Sequence, residues 1–145
     1  MDNMENRIES KLLLKPGTYT STQTSSACNI SGYEGAAFAI VYGTSGDTLS
    51  PSLYWTAKLQ HCATEAGTYT DIATSDVQIG MTNSFGLISA PSEDEEVYWL
   101  GYNGAFDYVK VVVTATGSHI YGTPFCALAY LGMPCSRSTG GKVNP

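Results

Sequence analysis

Asn103-Gly104 lies between two runs of β-branched and aromatic residues, and no other feature of the chain narrows its possible folds as much. The stretch Tyr98 to Thr116 reads YWLGYNGAFDYVKVVVTAT. Both turn residues tolerate the positive φ of a type I′ turn, so the pattern predicts a central antiparallel hairpin. In its second arm Tyr108, Lys110, Val112 and Thr114 share one face, and Val109, Val111, Val113 and Ala115 share the other. Only the second set is free of polar groups, so it is expected to face a core.

The remaining chain repeats that texture. Ala36 to Tyr42 is almost wholly apolar and reads as a buried strand, while Tyr19 to Thr24 is polar and alternating, like an edge. From Leu53 to His61, Trp55 and Leu59 fall on the inward parity, and His61 ends the strand as a core or rim residue. Short strands are expected near Tyr69 to Ile72, Val77 to Ile79 and Phe85 to Ile88. Gly117-Ser118 turns the chain before a last strand, Pro124 to Leu131, which is apolar on both parities and is therefore expected to be central or covered by another subunit. Such spacing of short strands and turns predicts an all-β fold, an antiparallel β-sandwich or jelly-roll-like single domain, over residues 17–132. Fifteen Gly and ten Tyr in 145 residues suit it.

Two ends fall outside this pattern. Residues 1–16 carry Asp2, Glu5, Arg7, Glu9, Lys11 and Lys15, with Ile8, Leu12 and Leu13 at helical spacing before Pro16-Gly17. They read either as a short helix capping the sandwich or as an extended arm that orders against a neighbouring subunit. Residues 133–145 form a Gly- and Pro-containing tail without a folding pattern.

A net charge of −6, with only seven Lys and Arg, argues against nucleic acid or an anionic membrane as partner. The expected partner is a protein or a sugar. The N-terminal residues lack a secretory pattern, so synthesis in the cytoplasm is expected, with Cys28, Cys62, Cys126 and Cys135 as reduced thiols. Their spacing does not match a zinc site, and no cofactor or metal is expected. Glu93 to Glu96 lacks the alternating oxygen ligands of a calcium loop and reads as a solvated, self-repelling turn. His61 and His119 lie outside any nucleophile or metal motif, so the chain is not expected to be an enzyme. Trp55 and Trp99 raise the possibility of a sugar platform, but both sit on apolar parities, and packing in the core is the expectation for each.

Several segments taken together carry a family likeness. Gly32 to Ala37 (GYEGAA), Leu59-Gln60-His61, Gly67 to Ile72 (GTYTDI), Tyr102-Asn103-Gly104, Tyr108 to Thr114 (YVKVVVT) and Leu131 to Pro134 (LGMP) resemble small β-sandwich capsid decoration, or cement, proteins of tailed bacteriophages. Asp107 and Cys135 depart from that group, where basic residues are common. The resemblance implies a virion structural protein on the capsid surface, made in the host cytoplasm, binding the major capsid protein and often self-associating as a homotrimer. Under it, Ile8, Leu12, Leu13 and Leu14 in the arm, with Cys135 and Arg137 in the tail, are the expected protein-interaction residues. The alternative reading is a phage tail or fibre-associated β-sandwich that binds carbohydrate.

Overall fold

The computed structural model describes residues 8–78 and 80–134. Its strands form two antiparallel sheets. Sheet A has the order β1 (Ile8–Tyr19), β10 (Thr123–Pro134), β4 (Tyr33–Tyr42), β8 (Val97–Tyr102). Sheet B is built on the pair β9 (Tyr108–Thr116) and β5 (Tyr54–Cys62). Short strands β2 (Gln23–Thr24) and β3 (Cys28–Asn29) add to β9, while β6 (Thr70–Asp71) and β7 (Ser84–Ile88) add to β5.

Alternation along the strands decides what fills the space between the sheets. Val109, Val111 and Val113 of β9 are buried, as their parity predicts, alongside Trp55, Ala57 and Leu59 of β5. Sheet A contributes Phe38, Ile40, Leu100, Phe125, Ala127, Ala129 and Leu131. Trp55 finds a partner for its only polar atom inside this core, donating from Nε1 to Thr123 Oγ1 at 3.0 Å. Thr123 passes the bond on to Ser45 Oγ at 2.9 Å. Gly117 takes φ +85°, and a Cβ there would lie 2.5 Å from the Ser52 carbonyl, so both backbone conformation and closeness require glycine at this turn.

The expected hairpin around Asn103-Gly104 does not form. β8 pairs with β4 in sheet A, whereas β9 pairs with β5 in sheet B, so residues 103–107 carry the chain from one sheet to the other. Neither Asn103 nor Gly104 adopts a positive φ. Instead the Asn103 N–H donates to the Asp76 carbonyl at 2.7 Å and the Asp107 carbonyl accepts from Ile30 at 2.8 Å. The dipeptide is a local preference, and it is outweighed by the pairing of β9 with β5 along the whole strand, from Tyr54↔Thr116 to Cys62↔Tyr108.

The N-terminal segment also differs from expectation. Ile8 to Tyr19 is neither helix nor free arm but strand β1, which pairs with β10 from Ile8↔Gly132 to Tyr19↔Thr123. β10 has one side paired with β4 and needs acceptors and donors for its other side, which β1 supplies. A boundary at residue 16 therefore falls inside a strand. The register shifts between Leu12 and Leu14 and again before Gly17, and Pro16 sits in the second irregularity, where an edge strand and a break in the ladder both admit it.

The acidic turn is also not a set of repelling charges. The Glu93 carboxylate accepts from the N–H groups of Ser89 and Ala90, Asp94 accepts from Ser45 N–H, and Glu95 from Thr44 Oγ1. Three of the turn's four carboxylates thus accept from donors of neighbouring loop residues.

Candidate interaction face

Sheet A has two faces, and the register assigns each residue to one of them. With Phe125, Ala127 and Ala129 turned inward, Cys126, Leu128 and Tyr130 of β10 face outward. Their partners on β4 are Val41, Ala39 and Ala37, and beyond these on β8 lie Val97, Trp99 and Gly101. On the other side, β1 places Leu12 beside Leu128, Ser10 beside Tyr130 and Ile8 beside Gly132. One row across the sheet thus reads Leu12, Leu128, Ala39, Trp99, and the next reads Ser10, Tyr130, Ala37, Gly101. None of these outward positions carries a charge.

The surface is apolar and open. Leu12 is 55% exposed, Trp99 52% and Val97 57%, with Ile8 and Tyr130 also exposed. Small residues along β4 lie between the Trp99 side and the Leu128–Tyr130 side, with Ala39 itself covered to 1% exposure. At one end of the face lies a groove of about 310 Å³ bordered by Ile8, Gly35, Ala37, Gly101, Tyr130 and Gln78.

The outer face of sheet B has the opposite character. Lys58 Nζ lies 3.0 Å from Asp71 Oδ2, Gln60 donates to Asp71 Oδ1 at 2.8 Å, and Lys110 Nζ sits 4.2 Å over the Tyr69 ring. Hydrogen bonds from Gln60 and Lys58 hold the Asp71 carboxyl below the ordinary aspartate value. Such a face suits water; the outer face of sheet A, with its large exposed apolar side chains, suits another protein surface.

No protein-family model matches the chain, and no curated protein matches it. Among solved structures it is similar to the SPBc2 prophage-derived protein YomS, at 14% identity, 86% of this chain, 91% of that chain and a TM-score of 0.41. It is also similar to a chain in the structure of infectious bursal disease virus Gx strain, at 13% identity over 86% of this chain, with a TM-score of 0.47. There it spans about a third of the other chain, 32%. A family two carbohydrate esterase from Cellvibrio japonicus is matched at 10% identity, over 86% of this chain and 33% of that chain, with a TM-score of 0.27. Its structural neighbours thus include a prophage-derived protein and a viral one.

The expected interaction residues divide on the structure. Ile8 and Leu12 stand on the outer face, Leu13 packs partly against the core, and Leu14 is buried within it. The bulge between Leu12 and Leu14 is what separates them, since it reverses the strand's parity. Cys135 and Arg137 lie outside the described residues. Trp55 is fully buried as expected, but Trp99 is not packed: it is the largest exposed side chain of the face. Both parities of β8 are apolar, so alternation alone does not choose between them. A readable signal does exist, because β4, β8 and β10 are each apolar on both parities and are neighbours.

The two histidines serve the framework. His61 Nδ1 is 2.9 Å from the Tyr102 hydroxyl, and its ring meets Phe106 edge-on at 4.4 Å. His119 stacks on Trp55 at 4.5 Å, and its Nε2 bonds the Thr116 carbonyl at 3.1 Å. Its Nδ1 lies 3.6 Å from Asp47 Oδ2, but both Asp47 oxygens are engaged by backbone N–H groups: Oδ1 by Ile120 and Tyr121, Oδ2 by Gly122. Desolvation raises the Asp47 carboxyl, yet those three donors and nearby His119 outweigh it and hold the group below the ordinary aspartate value. The result is a stiff loop that presents Ile120 and Tyr121 outward, 75% and 73% exposed. Cys28, Cys62 and Cys126 are free thiols, and burial pushes those of Cys28 and Cys126 upward.

Proposed function

We propose that this chain is a virion structural protein, a capsid decoration or cement protein that binds the major capsid protein and stabilises the shell. The single observation that carries the reading is the uncharged apolar outer face of sheet A, on a body whose opposite face is dressed for water. A face of that kind is covered by protein in the working assembly. The resemblance of its strands to phage decoration proteins supplies the assembly. In this reading the chain is made in the host cytoplasm, associates with further copies of itself, and adds to the outside of the capsid. The individual contact is modest, because association and side-chain ordering consume much of the gain from burial. Many copies on one closed particle make the attachment durable through high local concentration.

Purified particles from cultures carrying the gene test this directly. The chain is expected in a fixed ratio to the most abundant particle protein, measured by quantitative mass spectrometry. Its absence, or a ratio that drifts between preparations, overturns the reading.

The exposure of Trp99 favours one second reading, a tail or fibre-associated sandwich that binds carbohydrate. An aromatic face stacks on a sugar ring, but the hydroxyls then need polar partners. Trp99 is flanked across the sheet by Ala39 and along its own strand by Val97 and Gly101. A glycan array with saccharide quenching of tryptophan fluorescence separates the two readings: specific saccharide binding favours the second.

A further inference from the structure

We infer that the outer face of sheet A is covered by the same face of a second copy, related by a two-fold axis that runs along the strands between β10 and β4. The inference rests on the reading of the chain as an assembling structural protein, names the partner that covers this face, and leaves the shell to be met by other surfaces of the pair, such as the exposed Ile120 and Tyr121.

The strand order carries the argument. In β1-β10-β4-β8 the sheet's midline falls between β10 and β4. A two-fold axis on that line lays β10 of one copy over β4 of the other, and β1 over β8, with each row meeting its own counterpart. Leu128 then faces Ala39, and Tyr130 faces Ala37. Leu12 faces Trp99, since both belong to the row of Leu128 and Ala39. Large side chains meet small ones along the centre, and the two exposed outer ridges meet each other. Ala39 is already covered by its neighbours within one copy, so the partner's β10 ridge rests over the β4 row rather than entering it. Sheets pack about 10 Å apart with their strands within about 30° of one another, so the central rows stay in contact despite the twist.

The size is sufficient. Four strands about 4.8 Å apart and four same-face rows about 6.8 Å apart give about 500 Å² per copy, or about 1,000 Å² for the pair, where specific interfaces begin. No charge on the face opposes its own image across the axis.

Sedimentation of the full chain at micromolar concentrations tests the proposal, with a dimer expected. W99E and L12K, each at a side chain that is exposed in the single copy, are expected to sediment as monomers, with dissociation constants raised at least a hundredfold and unchanged circular dichroism. T114E, on the outer face of sheet B, is expected to remain a dimer. Mixing W99E with L12K is expected to restore pairing, because the new charges of opposite sign face one another across one side and the native Leu12–Trp99 contact survives on the other. A monomeric or trimeric native chain, or a dimer unaffected by W99E, overturns the proposal; a mixture that stays monomeric overturns this register. Particle occupancy is read separately: a dimer missing from particles defeats the decoration reading alone, and a monomer that coats them defeats this proposal alone.

Discussion

The two tryptophans show how differently one residue type is used at two positions. Trp55 is enclosed and hydrogen-bonded to Thr123, so Trp55→Ala is expected to cost about 3–5 kcal/mol in chemical denaturation. Trp99→Ala, measured on the single copy, is expected to cost less, about 1–2 kcal/mol, because about half of the side chain is exposed there. Asp47 is the other residue on which much depends. Its carboxylate meets three consecutive N–H groups, and Asp47→Ala leaves them without that acceptor, an expected loss of about 2–3 kcal/mol. The pH dependence has a definite sign. A carboxyl held below its unfolded value contributes fully above that value, near pH 4, and its contribution disappears as pH falls through the lower, folded one. Thermal melts of the native chain are therefore expected to fall more steeply on acidification below about pH 4 than those of Asp47→Asn.

At the level of strands, β1 and the β8–β9 connection carry the sharpest consequences. Removing Met1 to Lys15 takes away β10's partner from Ile8 to Leu14, together with the buried Leu14 side chain. Stability is expected to drop by at least about 2–3 kcal/mol in denaturant titrations, the burial value of one leucine. An arm lying free of the body would have left stability unchanged. Gly104→Ala places a Cβ against the buried Tyr102 ring, and an expected cost of about 1–3 kcal/mol follows from overpacking rather than from any positive φ. These two elements mark the limit of what was legible in the sequence. Strands such as β9 and β5 declare themselves, because Val109, Val111 and Val113 alternate with Tyr108 and Lys110, and Trp55 and Leu59 alternate with Thr56 and Lys58. Sheet membership does not, since Asn103-Gly104 is compatible with a reversal within one sheet or a passage between two. Parity fails where a bulge intervenes, as between Leu12 and Leu14, and where both parities are apolar, as in β8. The candidate face was half legible: the two-sided β10 pointed to a cover of some kind, while exposed Trp99 needed the three-dimensional register.

For the molecule as a whole, the two outer surfaces differ in character. Sheet B meets water with Lys58, Asp71 and Lys110, and sheet A presents Leu12, Leu128, Tyr130 and Trp99. A particle-bound chain whose sheet A is covered is expected to show Trp99 protected from acrylamide quenching, and to lose that protection when released into dilute solution. The order in which the polypeptide is made adds a last point. β10, the final described strand, lies between β1 and β4, so β1 has no neighbour in sheet A until the ribosome has delivered β10. The row Leu12, Leu128, Ala39, Trp99 is therefore assembled only once β10 is in place, and until then β1 and one edge of β4 stand unpaired, open to unfinished copies beside them.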